Sequence, residues 1–143
     1  MATTTDLRSA STQLPATPMK QAFSVVKEVS FATYNGDDGD LFTIMNLPAN
    51  CLAACVVEVE TGEGAAVTID VNTTESSAQQ FLNNASINTA GNLIGDGDDG
   101  DASLIWFYIT EACTVQIETN DDNTDAAVLQ VRMFVIEAGV ELS

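Results

Sequence analysis

The densest run of potentially reactive side chains is DGDDGD, Asp96 to Asp101. Clustered carboxylates are what a hard cation such as Ca²⁺ takes as ligands, so the run invites comparison with a calcium loop. An EF-hand loop places acids at positions 1, 3 and 5, glycine at 6 and glutamate at 12. Counted from Asp96, the fifth, sixth and twelfth positions hold Gly100, Asp101 and Phe107, and the register fails. A glycine–aspartate calcium repeat would recur in tandem, and this one does not. The run reads as a solvated acidic turn, as do NGDDGD (35–40) and NDDNTD (120–125). A glycosidase needs two carboxylates, one with its pKa raised by an apolar pocket. The acids here fall mainly in glycine-rich turns, where they are expected to be exposed and ionised. The chain has no histidine, which removes the commonest general base and transition-metal ligand. Ser–His–Asp and Cys–His sites are therefore excluded. A Ser–Lys site would have to use Lys20 or Lys27, the only lysines. The chain reads as no enzyme, with no metal and no cofactor.

The three cysteines, Cys51, Cys55 and Cys113, are an odd count for a disulfide framework. On one strand, Cys51 and Cys55 would have Cα atoms about 13 Å apart, too far for a bond. They read as small buried apolar residues, and reduced thiols suit a cytoplasm. NTT (72–74) and NAS (84–86) match the glycosylation acceptor pattern but would need a secretory route. The start, MATTTDLRSASTQ, has no basic stretch followed by an apolar one, so no secretory signal is expected. The longest apolar runs, CLAACVV (51–57) and LIWFYI (104–109), are too short to span a bilayer.

Charge is unevenly spread. The net is −17, yet residues 1–30 carry +1, from Arg8, Lys20 and Lys27 against Asp6 and Glu28. Residues 31–143 carry −18, with Arg132 as their single cation. A body so acidic is repelled by phosphate backbones and anionic membrane surfaces, so neither nucleic acid nor membrane is an expected partner.

These side chains need elements to hold them. Residues 1–22, rich in Ser, Thr, Gln, Ala and Pro, predict an extended N-terminal arm, and 23–143 a β-sandwich domain. FSVVKEVSFAT (23–33) alternates, with Phe23, Val25, Val29 and Phe31 on one side. LFTIMNL (41–47), CLAACVVEVE (51–60), AAVTIDV (65–71), CTVQIET (113–119) and AAVLQVRMFVIEAG (126–139) read as further strands. Residues 46–71 read as a hairpin around TGEG (61–64). Residues 72–102 are too many for a bare loop and should hold one or two short strands or a helical turn. LIWFYIT (104–110) is apolar on both sides, the pattern of a central or covered strand. Trp106, sharing a face with Leu104 and Tyr108, is expected in the core or a subunit interface. Seven or eight strands with polar turns predict an all-β, antiparallel, jelly-roll-like sandwich.

VSFAT (29–33), LFTIMNLPAN (41–50), VVEVETGEG (56–64), GAAVTIDV (64–71), ASINTAGNLIG (85–95) and the final VLQVRMFVIEAG carry a family likeness. The chain resembles the small β-sandwich head decoration, or cement, proteins of tailed bacteriophages, over residues 23–139. The resemblance implies a virion structural protein on the outer capsid surface. It would be made in the host cytoplasm, bind the major capsid protein, self-associate as a homotrimer and stabilise the shell. The charge split adds an expectation. The near-neutral arm would dock on the shell through Arg8, Leu14, Pro15, Pro18, Met19 and Lys20, while the acidic body faces solvent. The rival reading is a receptor- or glycan-binding tail-fibre or capsid-surface adhesin, with 72–102 as the recognition loop and Trp106 or Tyr108 in contact.

Overall fold

The computed structural model describes residues 2–8, 22–75, 78–94, 104–121 and 123–137. Among these residues ten strands form: β1 (Thr4–Asp6), β2 (Ala22–Ser30), β3 (Leu41–Leu47), β4 (Cys51–Thr61), β5 (Thr68–Thr73), β6 (Gln80–Ser86), β7 (Gly91–Ile94), β8 (Phe107–Ile109), β9 (Cys113–Thr119) and β10 (Val128–Glu137). They make two sheets, ordered β1-β3-β9-β5-β6 and β2-β10-β4-β7, with β8 pairing the start of β4. Alternate side chains of both sheets meet in one core, among them Phe42, Ile69 and Ile117 from the first and Val57, Leu129 and Val131 from the second. The eight strands from β2 on, leaving out β8, interleave as the two Greek keys of a jelly roll. The protein is an all-β sandwich, as the alternation predicts.

The hairpin reading of 46–71 does not hold. β4 lies in the second sheet, against β10, while β5 lies in the first, between β9 and β6. The TGEG stretch crosses from sheet to sheet. Gly62 runs so close to the backbone of Asn88 and Thr89 that a Cβ would collide, and Gly64 takes a φ of +78°. The Glu63 carboxylate is buried and accepts the backbone N–H groups of Asp125, Ala126 and Ala127 at 2.7–3.1 Å. That clamp ties the crossing to the turn before β10, on which β4 pairs.

LIWFYIT also differs from expectation. Only Phe107–Ile109 is strand, and it pairs β4 alone rather than lying centrally. Ile109 is buried, whereas Trp106 and Tyr108 are exposed, so neither is a core residue in the chain. β2 stops at Ser30, and Phe31–Tyr34 form a single helical turn, α1. Phe31 nevertheless stays buried. Its N–H donates to Ala127 O at 2.8 Å, and its ring meets Phe42 edge-on at 5.2 Å. Within 72–102, the short strands are β6 and β7.

Residues 2–8, read from sequence as part of an arm, belong to the first sheet. β1 pairs β3 in parallel, one exception to the antiparallel plan. Leu7 is buried in the core and its N–H donates to Thr43 O at 2.8 Å. Asp40, at the end of the NGDDGD turn, accepts the N–H groups of Thr3 (2.8 Å) and Asp37 (3.0 Å). These bonds hold its carboxyl below the ordinary value, the Asp37 N–H most strongly.

Candidate interaction surface

The sheets differ on their outer faces. On the first, the register sets Asp70 beside Glu118 and Asn72 beside Gln116. Asn120 Nδ2 donates to Asp70 Oδ1 and to Asn84 Oδ1, both at 3.1 Å, and Gln116 Nε2 donates to Thr43 Oγ1 at 2.9 Å. This face is polar and largely self-satisfied.

The outer face of the second sheet is divided. At the end formed by the start of β2, the end of β10 and the β4–β8 pair, one row carries Ala22, Ile136, Leu52 and Tyr108. The next carries Ser24, Phe134 and Ala54, and the third Val26, Arg132 and Val56. The apolar side chains are not core: Val26 is 39 % exposed, Ile136 40 %, Trp106 42 % and Tyr108 47 %. Trp106, Phe23, Phe134 and Ile136 wall an open groove of about 330 Å³. Tyr108 Oη donates to Asn50 Oδ1 at 3.0 Å, which fixes that ring at one margin. The fourth row turns acidic, with Glu28, Gln130 and Glu58 side by side. Gln130 Nε2 donates to Glu28 Oε2 (2.9 Å) and Glu60 Oε2 (3.0 Å). A neutral amide, not a cation, bridges these two carboxylates.

Of the six arm residues, Arg8 alone is described. Its guanidinium grips Asp6, with Nη2–Oδ2 at 2.6 Å and Nε–Oδ1 at 2.9 Å, and Nη1 donates to Asn46 Oδ1 at 2.7 Å. That pairing lowers the Asp6 pKa to about 2 and raises that of Arg8. Leu14, Pro15, Pro18, Met19 and Lys20 lie outside the described residues, as does Asp96–Asp101. No group of three or more Cys, Asp or Glu among the described residues could hold a metal ion.

The thiols are placed for packing. Cys51 and Cys55 are buried, and burial pushes each to about 12, so neither is a ready nucleophile at neutral pH. Three acids depart from the reading of acidic groups as exposed: Asp40, Glu63 and Glu75 are all buried. Glu75 accepts the N–H and hydroxyl of Thr110, each at 3.1 Å. They act as staples between loops. Glu63 has a local signal, a lone acid between Gly62 and Gly64. The outward apolar residues of β2 and β10 have none, because Val26 and Ile136 look like core residues in a strand.

The class defined by this geometry is an eight-stranded jelly roll with one polar and one half-apolar outer face. No protein-family model and no curated protein matches the sequence. Solved structures do match in fold. A chain in the capsid of Ralstonia phage GP4 is 12 % identical, with a TM-score of 0.60 over 95 % of this chain and 99 % of that one. A chain in the acidic stable capsid structure of Helicobacter pylori bacteriophage KHP30 is 11 % identical, with a TM-score of 0.51 over 86 % and 94 %. Both of these chains come from phage capsids. At such identities the likeness is one of fold.

Proposed function

We propose that the chain is a phage virion structural protein that binds the outside of the capsid shell and stabilises it, as a decoration or cement protein. The observation that carries the reading is that its jelly roll matches, over nearly the whole of both partners, chains found in phage capsids. The acidic body, with net −18 over residues 31–143, supports an outward position, away from packaged nucleic acid. The partners are the major capsid protein and further copies of this chain as a homotrimer, assembled after synthesis in the host cytoplasm. A module seated across several shell subunits favours the expanded shell if it binds that state more tightly, and many equivalent contacts add avidity. Arg8 and the segment with Leu14, Pro15, Pro18, Met19 and Lys20 supply shell contacts in this reading.

Copy number per purified virion, measured by quantitative mass spectrometry against the major capsid protein, tests it. Hundreds of copies are expected, and absence from particles would overturn it. The exposure of Trp106 beside an open groove favours a second reading, a glycan- or receptor-binding surface module. That reading expects about a dozen copies or fewer, and glycan-array binding that disappears in Trp106→Ala.

A further inference from the structure

We propose that the apolar half of the second sheet's outer face is the main seat on the shell. Its occupant is a protein surface that presents apolar side chains beside lysines or arginines. This rests on the virion reading and names the contact chemistry for it.

Four of the six large exposed hydrophobic side chains among the described residues, Val26, Trp106, Tyr108 and Ile136, gather on this one face. Scattered apolar residues need no partner, but a contiguous patch rimmed by polar groups marks an interaction site. An aromatic wall beside a groove is also where binding energy concentrates in protein contacts. Among the described residues the opposite face gathers no such patch, and its register sets Asp70 beside Glu118 and Asn72 beside Gln116.

The rim decides the occupant. Beyond the row of Val26, Arg132 and Val56 stand Glu28 and Glu58, and past them Glu60, with Glu28 and Glu60 sharing the Gln130 amide. A partner with cations at that distance from its apolar contact meets three carboxylates against one cation among the described residues of this face, Arg132 in the row before them. A second copy laid face to face would bring acids and a net −17 against the same. An anionic membrane would be repelled likewise. Charge complementarity therefore selects a basic-rimmed protein surface.

The test uses heads of the encoding virus made without this protein, to which purified full-length chain is added back. Ile136→Asp and Trp106→Ala should each raise the half-saturating concentration at least about tenfold, whereas Ser86→Asp, on the exposed edge of the first sheet, should leave it unchanged. Wild-type binding should weaken as NaCl rises from about 50 mM to about 300 mM. Charge reversal by Glu58→Lys should weaken it and flatten the salt dependence. Circular dichroism melts of the free variants guard against misfolding, and Ile136→Asp should melt as the wild type does. Equal uptake of wild type and folded Ile136→Asp overturns this inference and leaves the virion reading standing. Heads that bind no wild type overturn both. Self-association of the free protein through this face, strengthening with salt and lost in Ile136→Asp, would make a second copy the occupant. A marked loss of stability in free Ile136→Asp would mean that the chain covers the face itself. Either result overturns the inference.

Discussion

At the scale of single residues, the acids do two jobs that composition does not separate. Most are charge on a surface, while Asp40, Glu63 and Glu75 are buried acceptors. Glu63 takes three consecutive backbone N–H groups before β10, so removing it strands the N–H of buried Ala127 and loosens those of Asp125 and Ala126. Glu63→Ala is expected to cost about 3 kcal/mol in urea unfolding, against less than about 0.5 kcal/mol for Glu118→Gln on the polar face. Asp40 supplies a pH dependence. Its folded pKa lies below the unfolded one, so its contribution is complete above the unfolded value and fades as pH falls through the folded one. As pH falls below about 4, wild-type stability should therefore fall more steeply than that of Asp40→Asn, measured by urea midpoints. Parallel curves would show that the bonds to Thr3 and Asp37 do not depend on the charge.

At the scale of elements, strands were more legible than partners. LFTIMNL and CTVQIET become β3 and β9 with the limits that their patterns predict, because alternation is a local property. Sheet membership is not local. CLAACVVEVE and AAVTIDV flank a glycine turn as hairpin strands would, yet they part because β4 finds β10 and β5 finds β9. The apolar LIWFYIT misleads for a related reason, since an outward-facing apolar strand and a covered strand use the same residue types. Trp106 and Tyr108 were visible as aromatics, while Val26 and Ile136, their companions on the surface, were hidden among core-like neighbours. β1 is the element with no signal at all, three residues in TTD placed by β3 and by Leu7. Leu7→Ala should cost about 2 kcal/mol, and deletion of residues 2–8 more, by the same unfolding measurement. Shell binding of a chain lacking residues 2–20 would thus confound docking with stability. Replacing 9–20 alone separates them.

At the scale of the whole molecule, charge dominates. A net of −17 on one sandwich stores self-repulsion that salt screens. Raising NaCl from about 50 mM to about 500 mM should raise Tm by about 4 °C, equivalent to about 1 kcal/mol. An unchanged Tm would mean that the acids are too dispersed to oppose folding. The same salt should weaken attachment to a basic-rimmed shell, so stability and binding are expected to move in opposite directions.

The interleaving of the two sheets also sets a clock. β10 sits between β2 and β4, and Gln130 reaches Glu28 across 102 residues of chain. While the ribosome is still making the middle of the protein, β2 has no neighbour and the second sheet has no centre. Contacts this distant in sequence are slow to form. A chain stopped before Val128 leaves β2 unpaired and β4 open on the side that β10 covers. The second sheet, and with it the divided outer face, comes into being only after β10 has been synthesised.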